Sequence, residues 1–194
     1  MFELPEGLPI ELTPLAFLVG SWEGTGIIAI DGREHEFSQK IEFAHDGSSS
    51  LTYISSAKLN DETGTALPSE LGYWRVERPR TDFDYGPGLL PGRGENPIQA
   101  YEAMEQFRAD HGGYNIEVST IHPGGVAELY RGWVRSARIE IASAQGVAFE
   151  GAKTYRHSTR LYGIVEGALL WAWDIALPGG ELKSHASGRL EKVG

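Results

Sequence analysis

The chain contains no cysteine. Disulfide bonds, thiolate metal ligands and cysteine nucleophiles are therefore excluded. No apolar run reaches the ~20 residues that a membrane-spanning helix requires. Positive charge is scarce: 17 Lys and Arg stand against 27 Asp and Glu, giving a formal net charge of −10. So acidic a chain repels nucleic acid and anionic membranes, and neither is expected as a partner. The start, MFELPEGLPIELTP, is acidic and broken by proline, unlike a secretory leader. With no disulfides to form, a cytoplasmic location is expected. Metal donors are also few. The six histidines are His35, His45, His111, His122, His157 and His185, and no two stand at zinc-site spacing. A Gly-x-Ser-x-Gly nucleophile elbow is missing, since GSWEG is a different arrangement.

What is present suits one domain of β-strands. The 194 residues are 41% apolar, enough for one core and cramped for two. The 25 Gly and 10 Pro punctuate segments that read mostly in period two. LAFLVGSW suits a short helix or turn before a first strand at 23–30, and DGRE at 31–34 is a hairpin turn. HEFSQKIEFAH, LTYISSAKLN and LGYWRVER follow as strands. The segment 79–97, with four Pro and four Gly, cannot hold a sheet ladder and is expected as a loop at a cavity mouth or on the outer wall. Beyond it, Ile98, Tyr101, Met104 and Phe107 recur every three residues as in a helix, whereas the DHGG turn that follows favours a strand for the second half. Then come five strand candidates: GVAELYRGWV, ARIEIASA, GAKTYRHSTRLYGIV, GALLWAWDIAL and LKSHASGRLEKV. The expectation is an all-β fold, a single closed or nearly closed antiparallel barrel of about ten strands over residues 20–194, wide enough for a ligand cavity.

Side-chain alternation proposes the walls of such a cavity. In LLWAWDIA, Leu169, Trp171, Trp173 and Ile175 share one face, while Leu170, Ala172, Asp174 and Ala176 share the other. The bulky face reads as core, and the small face equally as a cavity wall for a flat ligand. In the last segment, Lys183, His185, Ser187 and Arg189 share a face that looks solvated. His45 and His122 lie beside turns and read as surface groups, and Glu42, Glu128 and Asp174 read as structural carboxylates. Gly20, Trp22, Gly24 and Gly26 alternate, which places Trp22 beneath one end of the barrel among residues that occupy little space.

GSWEGTG resembles the Gly-x-Trp-x-Gly-x-Gly motif of the nitrobindins, small haem-binding barrels shaped like lipocalins and fatty-acid-binding proteins. EFSQKIEFAHDG, ELGYWRVE, HPGGVAELYRG, GAKTYRHSTRLY and LLWAWDIALPGGELKSHASGRLEK are similar to the family in the same order. The chain departs from it at IIAIDGRE, where nitrobindins carry a Tyr-Pro-Thr segment, and in the 79–107 insertion. The resemblance implies a ferric b-type haem (heme b) with His185 as its axial iron ligand and Lys153 near it, binding nitric oxide and isomerising peroxynitrite to nitrate. The alternative is a haem-free carrier of a small apolar ligand such as a fatty acid, its carboxylate met by Lys153, Arg156 or Arg160. A cavity filled by the insertion is a third reading. A homodimer is left open.

Overall fold

The computed structural model describes residues 4–193. Ten strands follow one another: β1 (Gly20–Ile30), β2 (Arg33–Ala44), β3 (Leu51–Leu59), β4 (Ala66–Val76), β5 (Tyr114–His122), β6 (Val126–Arg135), β7 (Arg138–Ala148), β8 (His157–Val165), β9 (Ala168–Ala176) and β10 (Lys183–Val193). Each pairs antiparallel with its sequence neighbours, and β10 returns to β1, so the sheet closes on itself. The turn chemistry explains the meander. Asp31 and Gly32 both have positive φ (51° and 74°), as a two-residue hairpin turn demands, and Glu166–Gly167 repeats the device between β8 and β9. The expected closed antiparallel barrel is the fold found.

A 3₁₀ segment, Ile10–Leu18, closes one end. Leu12, Leu15 and Leu18 recur every three residues, the period of a 3₁₀ turn, and each is fully buried. They pack against Trp22, Phe43, Leu51, Tyr53, Trp74 and their neighbours in one continuous core. Trp22 is 2% exposed and donates its indole N–H to the Leu18 carbonyl at 2.7 Å. What occupies the space left by the alternating glycines is now plain. A β-carbon on Gly26 would lie 2.2 Å from the Ser187 carbonyl oxygen and 2.5 Å from the Phe37 ring. β10 and an aromatic ring thus use the room that β1 leaves. Trp74 continues this floor, edge-on to Phe43 at 5.4 Å and to Tyr162 at 5.1 Å. One half of the barrel interior is therefore filled by its own side chains.

The segment between β4 and β5 has no regular structure over 79–97, as expected; of the two positions expected for it, the cavity mouth or the outer wall, it does not take the first. It sits at the filled end, not at the cavity mouth. Arg78, just after β4, donates to Glu11 of the 3₁₀ segment at 2.7 Å and to both carboxylate oxygens of Asp84 at 2.8 and 2.9 Å. Ile98 and Met104 bury against Val76, with Ile10, Phe107 and Tyr114 packed around them. The strand expected in the second half of 98–109 is instead a one-turn helix, α1 (Glu102–Glu105), followed by turns and a single bridge, Arg108 to Tyr114. Apolar spacing of three won over the turn signal because Met104 has a hydrophobic partner surface at the barrel's end.

Candidate functional site

At the end opposite the 3₁₀ segment the barrel is open. Strict alternation in β10 would put His185 on the outside, because its neighbour Ala186 faces in and is 5% exposed. The pairing with β9 slips here: Ser184 stands opposite Asp174, Ala186 opposite Trp173, and His185 is the extra residue of a bulge. A bulge bends its strand and re-aims a side chain. Both His185 and Ala186 consequently line the internal cavity, and the His185 ring stands edge-on to Trp173 at 5.4 Å between centroids. Burial holds the His185 imidazole below its ordinary pKa, and the nearby Arg160 cation adds to this. The ring is thus kept neutral, the form that binds a metal.

The cavity measures about 200 Å³ and is lined by Ile28, Ala57, Leu67, Trp171 and Trp173, with Glu70, His122 and Arg160 among its polar members. Arg160 is 4% exposed and makes a two-pronged bond to Glu70, at 2.8 and 2.6 Å. Its guanidinium lies over the Trp173 ring, 3.8 Å from the centroid. Burial alone would raise the Glu70 carboxyl, but Arg160, His122 and the Tyr53 hydroxyl outweigh it and hold it below its ordinary value. His122 stacks near Trp173 and faces two carboxylates, Nδ1 at 3.4 Å from Glu70 and Nε2 at 3.0 Å from Glu128. Glu128 also accepts from Tyr130 at 3.0 Å and from Tyr155. Burial again pushes its carboxyl up, and these donors pull it below the usual range.

His122 and Pro68 are also walls of a second space, a groove of about 770 Å³ that holds Val126, Val147, Lys153, Tyr155 and Arg156. Lys153 does not lie on a strand. β8 begins only at His157, and the preceding residues form an exposed loop turned at Gly151 (φ 80°). A depression of similar size on the outer wall, over β1 and β8–β10, has no comparable buried polar cluster and is lined by surface groups such as Glu36 and Arg189.

The alternation of β9 is resolved in favour of its bulky face. Trp171 and Trp173 line the cavity, while Ala172 and Asp174 line outer depressions. The solvated reading of the His185 face holds for Ser187 and Arg189 and fails at His185 itself, because the bulge breaks the period there. Sequence reasoning missed His122, Glu70 and Trp173 as cavity residues, and Glu128 on the adjoining groove. They come from β4, β5, β6 and β9, and only the register brings them together.

The donor chemistry fits a haem held by one histidine. Both ring nitrogens of His122 face carboxylates, and His157 bonds Ser143 through Nδ1 at 2.9 Å. His185, by contrast, has Trp173 as its ring contact and makes no hydrogen bond among the described residues. Aromatic and aliphatic walls stand beside it, and cationic Lys153 and Arg156 sit on the adjoining groove for acidic side groups. A carboxylate-bearing apolar ligand fits less well. The inward cation, Arg160, is already taken by Glu70.

Comparison with known proteins likewise points to haem. A family model described as "THAP4-like, heme-binding beta-barrel domain" matches residues 11–192. A protein named peroxynitrite isomerase from Leifsonia xyli subsp. xyli is 51% identical over 197 residues, covering all of both chains. One of the same name from Clavibacter michiganensis subsp. michiganensis is 48% identical over the full length of both. A third, from Kocuria rhizophila, is 40% identical over 98% of this chain and 95% of its own. The crystal structure of Rv2717c from M. tuberculosis superimposes with a TM-score of 0.67 over 99% of this chain and 100% of that one, at 24% identity, which speaks for the fold.

Proposed function

Because the chain belongs to the family of THAP4-like, heme-binding beta-barrel domains, we propose that it holds a ferric b-type haem through His185 and uses it to isomerise peroxynitrite to nitrate and to bind nitric oxide. The observation that carries this is the β10 bulge, which turns a neutral, unengaged imidazole into the cavity. When bound, the haem iron supplies an open coordination position for a small oxyanion or diatomic molecule. The chain's own residues do the rest. His185 would hold the iron through its neutral imidazole. Trp173 holds its ring in place from the side, and Ile28, Leu67 and Trp171 keep the interior dry. Lys153 and Arg156 put positive charge at the rim of an otherwise acidic molecule, which draws in an anionic substrate. Peroxynitrite and nitrate are isomers, so the protein need supply no net proton or electron.

A homodimer would form through the outer wall. Ile54, Leu71 and Ile121 pair side by side across β3, β4 and β5, and all three are exposed. On a chain of net charge −10 an uncharged row is where two copies meet without repulsion.

Reconstitution with hemin tests the assignment. The wild-type chain is expected to give a Soret band that moves when nitric oxide is added and to speed the conversion of peroxynitrite to nitrate. His185→Ala loses the band, whereas His122→Ala, His157→Ala and the other single histidine variants keep it. A folded wild-type protein that takes up no hemin overturns the reading and favours the apolar carrier.

A further inference from the structure

Resting on that reading, we infer that Tyr155 is a modification site: the residue at which this protein nitrates itself when it meets peroxynitrite in the haem-loaded state. The argument starts from the neighbours of Trp173. The His185 ring lies at one edge, 5.4 Å away, and Tyr155 lies edge-on at 6.0 Å, so the three rings form a continuous path from the iron ligand to the groove. Trp173 is nearer the iron, but it is a poor place for an electron hole. The Arg160 cation rests 3.8 Å from its ring centroid, which penalises a radical cation there. Its buried Nε1 also has no hydrogen-bond partner, so the proton that oxidation would release has no acceptor.

Tyr155 has both things that Trp173 lacks. Its hydroxyl donates directly to the Glu128 carboxylate, a ready proton acceptor. It is also partly open to the groove, where a second reactant can reach the ring. Tyr130 shares the same carboxylate but is 1% exposed, so nothing reaches its ring carbons.

The chemistry balances. Homolysis of the O–O bond of peroxynitrous acid yields nitrogen dioxide and one oxidising equivalent of hydroxyl radical. That equivalent takes an electron from Tyr155 through Trp173, and the phenolic proton passes to Glu128. Glu128 hands that proton on to solvent, and the hydroxyl equivalent, with the electron and one proton taken back from solvent, becomes water. Nitrogen dioxide then joins the ring carbon ortho to the oxygen, and that carbon's own proton moves to the phenolic oxygen as aromaticity returns. In sum, one tyrosine and one peroxynitrous acid give 3-nitrotyrosine and water.

The test treats the full chain with peroxynitrite, with and without hemin, and maps nitrotyrosine by peptide mass spectrometry. With hemin, Tyr155 is expected to be enriched several-fold over the exposed Tyr73, Tyr85 and Tyr101; without it, those three dominate. Glu128→Gln, which removes the proton acceptor, lowers the Tyr155 share several-fold in the loaded protein. Tyr155→Phe, at a partly exposed position, keeps the fold and leaves no enriched site. A chain that binds hemin and isomerises peroxynitrite, yet shows the same nitration pattern with and without hemin, overturns this inference alone. Nitration of Trp173 in preference to Tyr155 does the same. A chain that takes up no hemin overturns the functional reading and this inference together.

Discussion

Glu70→Gln removes one charge from the barrel interior and almost no volume. Arg160 then keeps its charge at 4% exposure with no carboxylate bonded to it. Breaking a buried pair from one side costs about 3–5 kcal/mol, because the remaining ion has lost its compensation but not its desolvation. For a chain of this size each kcal/mol lowers the melting temperature by about 2–4 °C, so the drop should be about 6–20 °C. Removing both charges, as in Glu70→Gln with Arg160→Met, takes away the penalty along with the pair. What remains lost is the contact of the guanidinium with the Trp173 face, about 0.5–2 kcal/mol. The double variant should therefore be clearly more stable than the single one. Urea titration and thermal melts of the wild type, both single variants and the double variant give the coupling energy directly. The reasoning is refuted if Glu70→Gln costs less than about 1 kcal/mol, or if the double variant is as unstable as the single.

Trp22→Ala should cost about 3–5 kcal/mol by urea titration, since the ring is 2% exposed and the change opens a cavity above the 3₁₀ segment. Trp22→Phe, which keeps most of the ring and loses the bond to Leu18, should cost markedly less. At the same end, burial pushes the Asp84 carboxyl up, but bonds from Arg78 and the Thr81 amide, with the Arg78 and Arg75 charges, bring it down to about 2. A depressed acid lends stability that is complete above the ordinary Asp value, about 3.9, and is lost as pH falls through the folded value. Melting temperatures should thus fall between pH 4 and pH 2 for the wild type and fall less for Asp84→Asn, and parallel curves would count against the clamp. If two copies meet through the outer row, Leu71→Glu should convert a dimer to a monomer in light scattering without changing the Soret band, and a wild type that is already monomeric removes the dimer proposal.

Period-two patterning and turn chemistry made the barrel legible in the sequence, down to the Asp31–Gly32 turn. Of the candidate site, only one residue was legible. His185 could be named from its resemblance to a family, while its own strand argued against it: alternation places it outside, and a bulge leaves no mark in a single sequence. Glu70 and Arg160 are 90 positions apart, and no local rule couples residues at that separation before strand order and register are known. The turn beside His122 made a surface role the natural reading, but the last residue of a strand at a barrel's mouth can point inward as easily as out. For the insertion, apolar residues at 98, 104 and 107 carried the right signal, a packed segment, without saying at which end it packs.

The bulge has one more consequence. The residue at 185 is supernumerary to the ladder, with Ser184 and Ala186 both in register with β9 around it. The ligand we propose is therefore carried by a position on which neither the core nor the sheet depends. If His185 holds the iron as proposed, position 185 is a socket: Cys, Tyr or Met placed there would offer a different donor while the surrounding barrel stays as it is.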